Sequence, residues 1–330
     1  MSLRIAVIPG DGIGPQIVAE AVDVIHAAGV DITTETFDLG ADRFLRDGYV
    51  LDEDDVERLR AFDAILKGPL GPPIGDTSIP GGTIERGIIL KLRFQLDQYV
   101  NLRPFLSPNK RLDFVVIREN TEGPYAGEGG FIRKGTPHEI ATQGSVNTRH
   151  GVERCVRFAF ELAQQRSRRH LTLVHKTNVL TFAGDLWQRT FDDVKREYPD
   201  VATAYNHVDA SCIYLVEDPG RYDVIVTDNL FGDIITDLAG AVAGGVGLAG
   251  TGNLNPDRTS PSMFEPVHGS AHDILGTDQV NPTSTIRSAV LLLDFVGERD
   301  AAARIAKAVD DVLSTHPVPA RIGQLVIERL

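Results

Sequence analysis

The chain has 330 residues, 42% hydrophobic, 24% charged and 7% aromatic, with 32 glycines and 18 prolines; this is ordinary globular composition and excludes disordered, collagen-like and coiled-coil chains. With 33 basic and 46 acidic residues the net charge is −13, which repels a phosphate backbone, so no nucleic-acid partner is expected and any basic cluster is suited to a small anion. Cys155 and Cys212 are the only cysteines and form no CxxC pair, which excludes a disulfide framework or zinc ribbon and suits a reducing, cytoplasmic setting. No apolar run approaches the roughly 20 residues that span a bilayer, so no membrane partner is expected.

Short β-branched runs alternate with helical periods along the chain. A strand at 5–8 is followed by a helix at 14–28 with apolar Ile17, Val18, Ala21, Val22 and Ile25. Further strands are predicted at 32–37, 64–66, 114–117, 171–174 and 224–226. This alternation predicts an α/β fold with a largely parallel sheet. Residues 127–147 carry two strand-like pieces, 130–133 and 139–145, around a polar turn with no helical partner, and read as an arm that pairs with another subunit. The apolar, Gly/Ala-rich stretch 238–250 reads as a buried helix end and turn. Helices at 284–296, 299–313 and 320–329 read as a packed C-terminal layer.

Gly10-Asp11-Gly12-Ile13-Gly14-Pro15 follows a strand and opens a helix, as a dinucleotide fingerprint does, but Pro15 stands where G-x-G-x-x-G needs its third glycine. A tight strand-to-helix turn lining a pocket fits better, with Pro15 in the first helical turn. Of Arg93, Arg103 and Arg118 the last two come at or just after likely strands, where an oriented guanidinium can grip a carboxylate bidentately; surface ion pairing is the plainer use of all three. Asp233 and Asp237 are four apart on a helix that follows the strand at 224–226. Two like charges on one helix face repel unless a cation joins them, and all-oxygen ligands favour Mg²⁺ or Mn²⁺; the plainer alternative is N-terminal helix charges stabilised by the macrodipole, which suits Asp233 better than Asp237. Asp209 is a candidate third ligand or a helix N-cap. Lys176 in His175-Lys176-Thr177-Asn178 is a candidate base or a surface lysine, and Tyr125 a proton donor or a packed loop aromatic.

Taken together these segments resemble the metal-dependent β-decarboxylating dehydrogenases, the isocitrate/isopropylmalate dehydrogenase family. The matching stretches are Gly10-Asp11-Gly12-Ile13-Gly14-Pro15, Asn101-Leu102-Arg103-Pro104, Arg118-Glu119-Asn120-Thr121-Glu122-Gly123, His175-Lys176-Thr177-Asn178, Asp228-Asn229-Leu230-Phe231-Gly232-Asp233 and Glu265-Pro266-Val267-His268-Gly269-Ser270-Ala271. The resemblance implies two α/β domains sharing a large mixed sheet, not a Rossmann fold: a cofactor-binding domain from 1–98 and 245–330, and a central domain, 99–244, with the dimer interface and the arm. It implies a homodimer with shared active sites. Arg93, Arg103 and Arg118 then clamp substrate carboxylates, and Asp233 and Asp237 bind Mg²⁺ or Mn²⁺ with Asp209 of the partner subunit. Lys176, also from the partner, is the base for the C2 hydroxyl, and Tyr125 protonates the enolate.

By the same resemblance Asp273 accepts the ribose hydroxyls of NAD and repels the 2′-phosphate of NADP. His268, Gly269, Ser270, Ala271, Ile274 and Asn281 line the cofactor, with Ile13 and the partner's Asn178 near the nicotinamide. Two departures from the family pattern fall here: His272 stands where Pro is usual, and Asp278-Gln279-Val280 precedes Asn281. In Glu85-Arg86-Gly87-Ile88-Ile89-Leu90 the isocitrate enzymes carry Ser-x-Asn for a third carboxylate. The aliphatic run suits a branched alkyl group instead, whose burial is worth about 2 kcal/mol. Glu85, Ile88, Ile89, Leu90 and the partner's Val179 are the expected pocket, or core residues of an amphipathic helix. The expected reaction is NAD-dependent oxidative decarboxylation of (2R,3S)-3-isopropylmalate to 2-oxoisocaproate, in leucine synthesis. Tartrate or D-malate is the rival substrate, and a non-catalytic NAD-binding scaffold the alternative of another class.

Overall fold

A computed structural model describes residues 2–107, 112–245, 248–315 and 321–330. The chain opens with β1 (Leu3–Ile8), α1 (Gly14–Ala27), β2 (Ile32–Thr36), α2 (Ala41–Asp47), α3 (Glu53–Leu59), β3 (Ala64–Lys67) and α4 (Lys91–Gln95). The middle holds β4 (Val100–Leu106), β5 (Asp113–Glu119), β6 (Gly129–Ile132), β7 (Ile140–Gln143), α5 (Arg149–Gln165), β8 (His170–His175), α6 (Thr181–Lys195), β9 (Ala202–His207), α7 (Val208–Glu217), β10 (Val224–Thr227) and α8 (Asn229–Val242). It closes with β11 (Gly250–Leu254), β12 (Ser262–Pro266), α9 (Thr283–Val296), α10 (Arg299–Thr315) and α11 (Ile322–Ile327). Two units result: Met1–Gln98, Leu106–Arg111 and Ala243–Leu330 form the first, and Tyr99–Phe105 with Leu112–Val242 the second.

In the first unit the strand order is β2-β1-β3-β12-β11. β1 runs parallel to β2 and β3, β12 parallel to β3, and β11 antiparallel to β12. β3 and β12 are buried along their whole length, as strands covered on both faces must be. Because β1, β3 and β12 point the same way, the loops that follow them leave one edge of the sheet, where α/β proteins bind ligands. Ile65, Met263, Val56, Leu59, Ile84, Ile88, Leu92 and Leu96 belong to the core packed beside them.

In the second unit the order is β4-β5-β10-β8-β9, with β10 parallel to β5 and β8, and β8 parallel to β9. β5, β8 and β10 end at Glu119, His175 and Thr227, so each delivers one of the motif segments at the same edge. β6 and β7 pair as an antiparallel ribbon with Phe131 opposite Ala141 and Ile132 opposite Ile140, and every residue of both strands is exposed.

The predicted elements are recovered with shifts of one or two residues, and the departures have physical reasons. β11, Gly-Thr-Gly-Asn-Leu, carries no β-branched run beyond one threonine yet is buried throughout; its neighbours, not its propensity, make it a strand. Residues 85–90 form a π-helical turn, Glu85–Leu90, that continues into α4, a geometry that absorbs an extra residue without ending the helix. α8 continues to Val242, into the stretch read as a helix end. Residues 246–247 of that stretch and Ala320 of the last predicted helix lie outside the described residues.

Candidate active site

The first unit contributes the loops after β1, β3 and β12. Pro15 stands in the first turn of α1, as predicted. Asp11 is buried and accepts hydrogen bonds from the backbone N–H groups of Ala41 (2.8 Å), Asp42 (3.0 Å) and Gly71 (2.8 Å), so one carboxylate ties the β1 loop to the start of α2 and to the β3 loop. The N–H of Ile13 donates to Ser270 O at 3.0 Å, which brings in the loop after β12. Gly12 has φ +58°, and a Cβ there would meet Ser270 O at 2.1 Å. Only glycine permits that approach.

Several residues expected at the cofactor have structural partners of their own. Asn281 Oδ1 accepts from Thr283 N (2.9 Å) and Thr283 Oγ1 (2.6 Å), so its carbonyl caps the start of α9 and its amide N–H groups are the part suited to a ligand. Ile13 and Ser270 are buried, Gly269 and Asp273 exposed, and Ala271 and Ile274 half-buried. His268 Nδ1 lies 3.0 Å from Gly269 O, and burial holds its imidazole below the ordinary histidine range. The π-helical turn sorts the expected substrate pocket. Ile88 is fully buried within the core. Ile89 and Leu90 are half-buried and Glu85 is exposed. Arg93 is buried, with Nη2 3.4 Å from Glu265 Oε1.

The second unit holds two separate groups. The first is built where β4, β5 and α8 meet. Arg118, buried at the end of β5, places Nη1 2.5 Å from Asp233 Oδ1 and donates through Nε and Nη2 to Asn229 Oδ1 at 3.0 and 2.7 Å. Arg103 donates to Asn101 Oδ1 (2.7 Å) and Thr236 Oγ1 (2.5 Å), and its Nη2 is 3.6 Å from Asp233. Gly232 makes this possible, because a Cβ there would lie 2.5 Å from Arg118 Cγ. The Tyr125 hydroxyl donates to Asp233 Oδ2 at 3.0 Å, and Arg118 lies over its ring at 5.1 Å. Burial pushes the Tyr125 phenol up, the Arg118 charge opposes this, and the Asp233 charge adds to it, leaving it raised overall. It is therefore held protonated, as a proton donor must be.

The second group stands on β8, its following turn and α7. Lys176 Nζ is 2.7 Å from Asp209 Oδ1. That hydrogen bond holds the Asp209 carboxyl below its ordinary range. Asp209 sits inside the first turn of α7 and His207 occupies the N-cap position, so the capping alternative is set aside. Lys176 O accepts from the N–H groups of Val179 (3.1 Å) and Leu180 (2.9 Å), a turn that leaves Asn178 and Val179 exposed. Asp233 and Asp237 present oxygen ligands one helical turn apart on α8, Asp237 exposed and Asp233 partly so. This donor set suits a hard divalent ion. Among the described residues no three Asp, Glu, His or Cys side chains converge.

The profile of the isocitrate/isopropylmalate dehydrogenase family matches residues 4–326. The chain belongs to that family of dehydrogenases. It is 56% identical over 348 aligned positions to the 3-isopropylmalate dehydrogenase of Clavibacter sepedonicus, covering 100% of this chain and 98% of that one. It is 58% identical over 343 positions to the 3-isopropylmalate dehydrogenase of Corynebacterium efficiens, covering 98% and 100%. Among solved structures, the isocitrate dehydrogenase of Methylococcus capsulatus superposes with a TM-score of 0.89 at 37% identity over 99% of both chains. The α/β architecture is thus that of the family.

Sequence reasoning missed the supporting residues. Asn229, Thr236 and Asn101 orient the two arginines, and Asn229 Nδ2 reaches Glu122 O at 3.0 Å. Asn101 and Asn229 lie inside the recognised motif blocks, which was the available signal. Lys67, closing a buried strand, gave none beyond its unusual place.

Proposed function

We propose that the protein is an NAD-dependent 3-isopropylmalate dehydrogenase that converts (2R,3S)-3-isopropylmalate to 2-oxoisocaproate and CO₂ in the cytoplasmic synthesis of leucine. The observation that carries the substrate class is the half-buried Ile89 and Leu90 beside Arg93 on one continuous turn. An alkyl group and a carboxylate would thereby be recognised by neighbouring side chains. The high identity to curated 3-isopropylmalate dehydrogenases, above that to the isocitrate enzyme, supports the same reading.

The active form is a homodimer with shared sites. Ile213 and Val216 on α7, and Leu230 and Ile234 on α8, are exposed, and the two helices pack side by side. Val179, Leu180 and Phe182 are exposed next to Lys176, and Phe131, Ile132 and Ile140 on the ribbon. A two-stranded ribbon exposed on both faces is marginal alone, and this much apolar surface fits burial against a second copy.

In the assembled site Arg93, Arg103 and Arg118 hold the two carboxylates, with the substrate taking over guanidinium donors that Asp233 engages in the isolated chain. Asp233 and Asp237, with Asp209 of the partner subunit, would hold a Mg²⁺ or Mn²⁺ ion, which would supply Lewis acidity to the substrate when bound. Lys176 of the partner subunit accepts the C2 hydroxyl proton, and NAD, when bound, would take the hydride. The β-carboxylate then leaves as CO₂, and Tyr125, kept protonated, returns a proton to the enolate carbon. Asp273, exposed on the 3-10 turn His272–Ile274, receives the ribose hydroxyls and disfavours NADP.

Comparing kcat/KM for 3-isopropylmalate, D-malate and tartrate, with NAD and with NADP, tests this reading. A preference for 3-isopropylmalate with NAD is expected. A preference for either other diacid overturns the substrate assignment, and binding without NADH formation overturns the enzyme assignment.

A further inference from the structure

The end of β12 carries an acid that the mechanism does not use. Glu265 is buried, and its Oε2 lies 2.6 Å from the Nζ of Lys67. Its Oε1 accepts from Asn253 Nδ2 at 2.7 Å and lies 3.4 Å from Arg93 Nη2. Lys67 closes β3, is 1% exposed, and donates also to Gly68 O at 2.8 Å. Burial by itself would raise the Glu265 carboxyl, yet the Lys67 and Arg93 charges and the Lys67 and Asn253 hydrogen bonds bring it down to about 2. It is ionised at any working pH.

The lysine is the puzzling member. A buried cation is costly to desolvate. Glu265 already has a guanidinium and an amide as donors, so Lys67 is not needed to satisfy it. What Lys67 changes is the charge. Arg93 and Glu265 without it make a neutral pair; with it, the three ionised groups sum to one positive charge. A neutral pair has little pull on an incoming carboxylate, whereas a cluster with one positive charge, desolvated and hydrogen-bonded, has a strong one.

We propose that Lys67 is a positioning residue for the substrate clamp: by engaging Glu265 through its second carboxylate oxygen, it keeps the Arg93 end of the cluster cationic toward a substrate carboxylate. This rests on the reading of Arg93 as a substrate ligand. Glu265 in turn holds Arg93 in place through Oε1. Asn253 fixes the carboxylate between the two cations.

The test uses the holoenzyme with Mn²⁺ and NAD. Lys67→Met fills the same space without charge and is expected to raise KM for the diacid about tenfold or more, with the dissociation constant for NAD close to wild type and a melting temperature that falls but stays above the assay temperature. The double variant Lys67→Met/Glu265→Gln removes one charge of each sign and restores the sum, so KM is expected to return to within about threefold of wild type. Glu265→Gln alone takes the cluster to two positive charges and is expected to leave KM at or below the wild-type value. Arg93→Gln raises KM in every background. An unchanged KM in Lys67→Met, a double variant that stays as impaired as Lys67→Met, or a raised KM in Glu265→Gln overturns the inference, while Arg93→Gln with a raised KM keeps the clamp reading intact. If Arg93→Gln leaves KM unchanged, the clamp reading itself fails and the inference falls with it.

Discussion

Two groups in the second unit carry proposed chemistry and are built in opposite ways. Arg103, Arg118, Asn229 and Asp233 are fixed by hydrogen bonds from three elements, and both arginines are buried. Lys176 and Asp209 have side chains 24% and 67% exposed and only each other as charged partners in the pairing between them. The first group is preorganised by the chain itself, in the middle of β4, at the end of β5 and along α8. The second is held in shape by a backbone turn and a helix start, and stands beside exposed Val179, Leu180 and Phe182. An exposed ion pair contributes little to stability, so the apolar rim around it needs another explanation. The proposed docking against a second copy would supply one, because it would enclose the half-buried lysine and the exposed aspartate in a shared site.

The largest effect that can break this comparison comes from the apolar surface itself. Ile213→Glu with Val216→Glu places charges on an exposed helix face, so the single chain should keep its melting temperature. Dimer dissociation should nonetheless strengthen by at least about a thousandfold, given ~1.5–3 kcal/mol for each large apolar side chain buried and its double occurrence in a symmetric pair. Sedimentation should then show monomer, and activity should vanish with the dimer. A monomer that keeps full activity would make the two groups independent of assembly.

A smaller effect sharpens the other half of the comparison, the rigidity of the arginine end. Glu119 follows Arg118, is buried, and accepts from Thr121 N, Thr121 Oγ1 and Glu122 N. Burial, only partly offset by those bonds, raises its carboxyl from 4.5 to about 7. A raised folded-state value means its contribution is present in full below pH 4.5 and lost as pH rises toward 7. The stability of wild type relative to Glu119→Gln should therefore fall by about 3 kcal/mol between pH 4 and pH 8. Parallel denaturation curves at both pH values would show that burial does not govern this carboxyl.

The contrast also marks what the sequence could disclose. Strand ends, the glycine turn at 10–14 and the spacing of Asp233 and Asp237 are local, and local pattern displayed them. The pairing of Arg118 with Asn229 and Asp233 joins residues more than a hundred positions apart, 111 and 115 in these two cases. Only the order of parallel strands brings those together, and periodicity carries no strand order. Ile88 shows a different limit. Its neighbours Ile89 and Leu90 have the same character, and the π-helical turn alone decides which of the three faces the core. Lys67 was invisible for a further reason, since a buried lysine has no pattern until its acid partner, nearly two hundred residues away, is placed against it.

Subunit complementation tests the shared site most directly. Lys176→Met and Asp233→Asn, each inactive as a homodimer, are co-expressed with different tags and the mixed dimer is isolated. One of its two sites then combines an intact Asp233 from one copy with an intact Lys176 from the other, and the mixed dimer should recover about half of the wild-type kcat if the two sites act independently. A mixed dimer as inactive as its parents would contradict the account, because it would place both residues in a site built from a single chain.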